Sequence, residues 1–309
     1  MLSLKTDALL KQIKEYFVGY DELLKLLLIS LLSEGHLLIE GPSGTGKTLL
    51  AKVFASSIGA SFSRIQMTPD LLPGDLIGTS YYDIQSGTWK LKLGPIHANI
   101  VFVDEINRAS PRAQAALLEA MQERQVSIEG KSIQLPRPFL VVATRIPYAG
   151  EGSFDLPLGE IDRFSFSMSI EGFDPEVEKE VLRRINSLIE PRPSVVLTAD
   201  ELSEMIAEVR NIYVSERIRN YIVSLVLAVR GCEEVDVKPS TRAPIWMLQG
   251  ARALAYLKGR DYVTPDDVKE VAPYVIRHRI SIRPEYVYDG VTPDDLVRRA
   301  LEQVEVPKT

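Results

Sequence analysis

Apolar residues in the first 170 positions gather into short runs separated by longer amphipathic stretches. The runs Leu37–Glu40, Phe62–Met67, Ile100–Asp104, Phe139–Thr144 and Phe164–Ile170 read as β-strands. Three of them are almost wholly apolar over four or more residues, the mark of strands buried on both faces. Between the runs, Asp21–Ser33, Thr48–Ile58 and Pro111–Arg124 read as helices. The last opens on Ser110-Pro111, a cap residue followed by proline at the first helical position. This alternation predicts an α/β fold in which helices cover both faces of a parallel sheet.

Two segments break the rhythm. Thr79–Leu93 alternates Trp89, Leu91 and Leu93 after a Ser-Gly turn, and Val126–Leu135 alternates Val126, Ile128, Ile133 and Leu135 around Glu-Gly-Lys. Both predict β-hairpins, and on local pattern alone each is a solvated hairpin. Near Glu190-Pro191-Arg192-Pro193 the closely spaced prolines mark a linker, dividing the chain into domains 1–190 and 191–309. The second domain reads as all-helical. Thr198-Ala-Asp-Glu201 is a capping box, and Ser215–Arg230 puts Ile218, Ile222, Leu225, Val226 and Val229 on one face. Thr264-Pro-Asp-Asp267 and Thr292-Pro-Asp-Asp295 each supply a cap, a first-turn proline and first-turn carboxylates.

Composition narrows the function classes. The 309 residues carry 36 Lys and Arg against 42 Asp and Glu, for a formal charge of −6, with 45% hydrophobic residues. That is ordinary globular usage and excludes disorder, fibres and a disulfide scaffold. Cys232 is the single cysteine, followed by Glu233 and Glu234, whose charges would raise its pKa. His36, His97 and His278 have no metal-ligand spacing. The most apolar stretch, Leu23–Leu32, is ten residues, against roughly 20 for a membrane span. With no export signal at the start, a soluble cytoplasmic protein without membrane insertion is expected. The acidic balance argues against a dedicated nucleic-acid binder.

The strongest chemical signal is Gly41-Pro42-Ser43-Gly44-Thr45-Gly46-Lys47-Thr48, which fits G-x-x-x-x-G-K-[ST] between a strand and a helix. The glycines let backbone N–H groups face phosphate oxygens, and the following helix N-terminus, from Thr48 and Leu49 onward, adds its positive end. In this pattern Lys47 reaches the β- and γ-phosphates of ATP and the Thr48 hydroxyl ligates Mg²⁺. The strand Ile100–Asp104 ends in Asp104-Glu105, two carboxylates at the sheet edge where α/β folds bind ligands. Asp104 suits the Mg²⁺ shell, and Glu105 suits the general base for an attacking water.

These motifs resemble the AAA+ ATPases, and specifically the MoxR family. The likeness is carried by R-I-Q-M-T-P-D-L-L-P-G-D-L-I-G-T (64–79), G-P-I-H-A-N-I-V-F-V-D-E-I-N-R-A (94–109), L-L-E-A-M-Q-E-R-Q-V (117–126), I-D-R-F (161–164) and V-T-P-D-D-V-K-E-V-A-P-Y-V-I-R-H-R (263–279). The resemblance implies a five-stranded αβα P-loop domain followed by an all-α lid. It implies assembly as a homo-oligomeric ring, usually a hexamer, with ATP between subunits. Residues 68–93 would then hold the helix-2 insert and 126–135 the pre-sensor-1 hairpin, both facing the pore. Val18 and Gly19 would line the adenine pocket. Arg163 matches the arginine finger, supplied in trans, and Arg242, in P-S-T-R-A, matches sensor 2, which couples the lid to the γ-phosphate.

One position departs from the family pattern. Where the family reads A-T-Q-N-P, with the asparagine orienting the attacking water, this chain reads Ala143-Thr144-Arg145-Ile146-Pro147. Ile146 cannot hydrogen-bond a water. Tight ATP binding with slow hydrolysis is expected, unless Thr144 substitutes. The resemblance implies an ATPase that remodels or activates a protein client, often one carrying a von Willebrand factor A-type domain. Two further readings stay open. Lys90, Lys92, Arg124 and Lys131 on or beside the hairpins fit a DNA-directed motor or clamp loader, and Ile146 fits a nucleotide-locked scaffold.

Overall fold

The computed structural model describes residues 2–42, 44–146, 153–170, 174–188 and 191–307. The chain begins with α1 (Leu2–Tyr16), α2 (Asp21–Leu32), β1 (Leu37–Glu40), α3 (Lys47–Ser57), β2 (Phe62–Gln66) and α4 (Pro73–Ile77). It continues through β3 (Gly78–Asp83), β4 (Thr88–Leu93), β5 (Ile100–Asp104), α5 (Pro111–Glu123), β6 (Gln125–Ile128), β7 (Lys131–Gln134) and β8 (Leu140–Arg145). Next come α6 (Leu158–Ile161), β9 (Phe166–Ser169), α7 (Pro175–Leu188), α8 (Ala199–Asn211) and α9 (Glu216–Arg230). The last elements are β10 (Val235–Val237), α10 (Arg242–Leu257), α11 (Pro265–Ile276), β11 (Ser281–Ile282), α12 (Pro284–Tyr288) and α13 (Pro293–Gln303).

Five strands form one parallel sheet in the order β2–β5–β8–β1–β9. Leu37, Ile39, Ile100, Phe102, Leu140 and Val142 on one face belong to a core with α1, α2 and α3 that runs on into the lid helices. Leu38, Val101, Val103, Val141 and Ala143 on the other face belong to a second core with α5. Alternate side chains thus bury in opposite directions, which is why the strands read as unbroken apolar runs. Phe54, Phe102 and Phe166 are fully enclosed, and burying each ring contributes on the order of 2 kcal/mol.

The two hairpins form as the alternation implies, pairing β3 with β4 and β6 with β7. Both Thr-Pro-Asp-Asp segments and Thr198–Glu201 close reciprocal capping boxes. Several boundaries move. Hydrogen bonding of β8 starts at Leu140 and runs to Arg145, β9 spans only Phe166–Ser169, and α3 begins at Lys47. The region after the linker is not purely helical: β10 pairs antiparallel with β11, Val235 opposite Ile282 and Val237 opposite Ser281. The first long helix is α1, ahead of Val18, and α7 is a further helix that the apolar runs do not announce. Glu190, at the linker, lies outside the described residues. No helix among the described residues is long and apolar enough to cross a membrane.

Candidate functional site

The loop between β1 and α3 builds the first wall of the site. Gly44 and Gly46 hold φ of 84° and 79°, a left-handed conformation that a side chain would strain. At Gly46 a Cβ would also lie 3.1 Å from the Phe17 ring. Gly41, Gly44, Thr45, Gly46, Lys47, Thr48 and Leu49 line a cavity of about 520 Å³ together with Asp104, Glu105, Arg64, Gln66 and Thr144 to Ile146. Pro42 contributes its carbonyl, which accepts from Lys47 Nζ at 2.6 Å; Nζ also donates to Thr45 Oγ1 at 2.9 Å. Burial pushes the Lys47 ammonium below its usual pKa, against the opposing pull of Asp104 and Glu105. Ser43 lies outside the described residues.

Asp104 and Glu105 enter the same cavity from the end of β5. Glu105 sits at φ 54°, a conformation that costs a non-glycine residue of order 1–3 kcal/mol and often marks a functional turn. Thr144, on the neighbouring β8, ties the pair together. Its hydroxyl donates to Asp104 Oδ1 at 2.9 Å and accepts the Glu105 N–H at 2.8 Å. On the other side, β2 brings two residues to which the motifs gave no role. Arg64 Nη2 donates to Asp104 Oδ2 and to Gln66 Oε1, both at 2.8 Å, and Gln66 Nε2 lies 3.4 Å from Glu105 Oε2. Arg108 pairs with the same Glu105 oxygen at 3.1 Å.

Thr48 and Asp104 are hard oxygen donors on one cavity wall. Few protein ligands completed by phosphate and water oxygens is the pattern Mg²⁺ takes, so the donor set fits that ion. Among the described residues no group of three or more His, Cys, Asp and Glu side chains could hold a metal by itself. A second cavity, of about 450 Å³, adjoins the first and shares Gly44, Thr45, Gly46 and Leu49 with it. Its walls are Tyr16, Phe17, Val18, Tyr20 and the apolar face of α7, Val177, Val181, Leu182, Ile185 and Leu188. Gly19 is not on that wall. Its φ is 81°, and a Cβ there would come within 2.9 Å of Val177 Cγ2, so the glycine admits α7 to the site.

Arg163 and Arg242 sit elsewhere. Asp162 to Ser165 lead into the N-terminal end of β9, where the Ser165 and Phe166 N–H groups donate to the His36 carbonyl. The phosphate loop leaves the opposite end of β1. A four-residue strand separates the two edges by about 13 Å. Arg242, at the start of α10, donates to Asp162 Oδ2 at 2.8 Å, beside Ser240. Arg279 is 2% exposed and donates to Asp162 Oδ1 at 2.9 Å and to the Ser165 carbonyl at 3.1 Å. Burial lowers its pKa to about 10, with Asp162 opposing. Arg279, unremarked in the sequence, thus fastens the lid to the loop that carries Arg163.

Other candidates resolve simply. Burial raises the Cys232 pKa first and Glu234 second, against Arg299. The β3–β4 hairpin buries neither face: Tyr82, Ile84 and Trp89 are 51%, 88% and 71% exposed. Of the cations near the hairpins, Lys90 pairs with Asp83, and Arg124 pairs with Glu34 at 2.5 Å.

Comparison with known proteins agrees with this geometry. Residues 36–166 match the ATPase family associated with various cellular activities (AAA), and residues 227–300 match an AAA lid domain. The chain is 40% identical over 306 residues to Chaperone MoxR1 of Mycobacterium tuberculosis, covering 96% of this chain and 81% of that protein. It is 28% identical over 328 residues to Protein MoxR of Methylorubrum extorquens, covering 96% and 94%. A crystal structure of a protein from Cytophaga hutchinsonii assigned as an ATPase superposes with a TM-score of 0.92 at 34% identity, covering 99% of this chain and 96% of that one.

Proposed function

The chain belongs to the MoxR family of AAA+ ATPases, and from that premise we propose that it binds ATP between subunits of a ring, hexameric as in related ATPases, and uses hydrolysis to remodel a protein client. One observation carries the reading: an apolar cavity with room for a purine adjoins a polar cavity lined by Lys47, Thr48, Asp104 and Glu105. The adenine lies against Val18 and α7, and the phosphates follow the loop N–H groups to Lys47, whose ammonium leaves the Pro42 carbonyl for phosphate oxygens. Thr48 and Asp104 would hold Mg²⁺, which supplies neutralisation of the β- and γ-oxygens. Glu105 accepts the proton of the water that attacks the γ-phosphorus. Positive charge on the transition state comes from Arg163 of the neighbouring subunit, with Arg242 beside it. That assignment is favoured because both lie across the sheet from their own phosphate loop.

Turnover in this reading is slow. Ile146 offers no donor, and the Thr144 hydroxyl is engaged at both its donor and acceptor sides by Asp104 and Glu105. Two features favour a protein over a nucleic-acid client. The exposed aromatic hairpin β3–β4 is an unpartnered apolar surface of the kind that meets other proteins, and the ion pairs of Lys90 and Arg124 reduce the charge available to phosphates. The relative from Mycobacterium tuberculosis bears the name of a chaperone, in keeping with that choice. The deciding experiment is Glu105→Gln with labelled ATP. Nucleotide should stay bound while phosphate release falls by at least 100-fold, and normal release would remove Glu105 as the base.

A further inference from the structure

Asp104 is engaged at both carboxylate oxygens within its own chain. Oδ1 accepts from Thr144 and Oδ2 from the guanidinium of Arg64, each in a bond of ordinary length. The two partners differ in kind. Thr144 is neutral, 3% exposed and also bound to the Glu105 N–H, so it is part of the framework. Arg64 is a long cation whose side chain is half exposed; it also donates to Gln66, the second residue after it on β2. It lines the same cavity as Lys47 and Thr48. Its guanidinium therefore occupies, by charge and by position, the one Asp104 oxygen left open to a divalent cation. A guanidinium and a divalent ion on one carboxylate oxygen repel strongly in a partly enclosed cavity.

We propose that Arg64 is an exchangeable stand-in for the divalent cation at Asp104, holding the carboxylate when no metal is there and giving it up when metal arrives with nucleotide. The inference rests on the reading of Asp104 as a metal ligand. The exchange keeps the Asp104 carboxylate paired with a cation in both states. It also keeps Asp104 from repelling a polyphosphate that approaches before its metal. No bond is made or broken beyond hydrogen bonds and coordination. The residue is a positioning residue: it acts on Asp104 and through it on the nucleotide.

The exchange predicts an effect whose size depends on metal, which a purely structural arginine would not give. The affinity of the full chain for ADP is measured by calorimetry in EDTA and in saturating Mg²⁺, for wild type, Arg64→Met and Arg64→Lys. In EDTA, Arg64→Met should weaken ADP roughly tenfold, because Asp104 then faces the phosphates uncompensated. In Mg²⁺ the same variant should bind ADP as tightly as wild type or a few-fold tighter, its competitor for the metal gone. Arg64→Lys keeps a cation and should lie near wild type in both conditions. Equal weakening of Arg64→Met with and without Mg²⁺ would overturn the proposal, as would no change in either. In an Asp104→Asn background the Arg64→Met effect in EDTA should vanish; its persistence would also overturn it. Failure of wild type to bind ADP at all would instead remove the nucleotide site itself.

Discussion

His36 shows how a single side chain ties three elements together in one protonation state. Its Nδ1 accepts the Val141 N–H at 3.1 Å and its Nε2 donates to the Met121 carbonyl at 3.0 Å, which requires the neutral Nε2–H tautomer. Burial lowers its pKa from 6.5 to about 4, the Met121 bond opposing and the charge of Arg124 assisting. The unfolded chain therefore takes up the proton first, so this stability is full above pH 6.5 and is lost as pH falls toward 4. At about 1.4 kcal/mol per pKa unit, urea unfolding across that window should show a loss of about 3 kcal/mol from His36. His278, buried and lowered in the same sense, adds to it. His36→Gln should reduce the slope by about one proton, and an unchanged slope would refute the assignment. At Ile146 the backbone is already held, its N–H and carbonyl bonded to the Asn107 side chain at 3.3 and 3.2 Å. Ile146→Asn can therefore add a polar group without moving the chain, and turnover should rise on the order of 10-fold or more in a phosphate-release assay. Lys47, Thr48, Asp104 and Glu105 were legible because their motifs are contiguous. Arg64 was not, because its meeting with Asp104 depends on the pairing of β2 with β5, Gln66 opposite Asp104, which no local pattern records.

The two Thr-Pro-Asp-Asp segments show that one element signal carries two different energies. At the head of α11, Asp267 is fully buried and receives Arg260 through two bonds of 2.8 and 2.6 Å, Lys258 at 3.2 Å, and the Thr264 N–H and hydroxyl. At the head of α13, Asp295 is 36% exposed at its side chain, with Thr292 and Arg298 for partners. Asp267→Ala removes a buried acceptor from the partly exposed Arg260 and Lys258 and from the Thr264 N–H, and should cost about 2–3 kcal/mol. Asp295→Ala removes a solvated cap and should cost about 1 kcal/mol. Chemical denaturation of both variants checks the difference, and equal losses would show that burial does not set it. The sequence thus marks where both helices begin but not which cap is central. The sheet strands and the hairpins were legible by period alone. The helix α7 carries a helical repeat in Val177, Val181 and Ile185, but its face lines a cavity and not a core, so it does not stand out as an apolar run. The strands β10 and β11 are three and two residues long and 43 residues apart, too short and too distant for any pattern.

In the whole molecule, the sheet sets two groups of candidate residues apart. Lys47, Thr48, Asp104 and Glu105 lie at its C-terminal edge, whereas Arg163 and Arg242 lie at the N-terminal edge, the second held by Asp162. Asp162 also receives Arg279 from the lid, tying the lid to the loop that carries Arg163, while α7 and Val18 wall the apolar cavity at the other end of the same core. In the proposed ring, an isolated chain would hold half of two sites. Lys47→Ala removes the phosphate half and leaves the arginines intact; Arg163→Ala does the reverse. Each variant alone should have turnover reduced at least 100-fold, since an arginine supplied to a phosphoryl transfer contributes about 10³-fold or more. Mixed in equal amounts, they should recover a measurable fraction of wild-type activity, because one interface type in the mixed assembly pairs an intact loop with an intact arginine. Co-purification of the untagged variant on an affinity-tagged copy of the other establishes that the variants assemble together. Co-assembly without recovered activity would place Arg163 in its own chain's chemistry, against the separation of the two sheet edges.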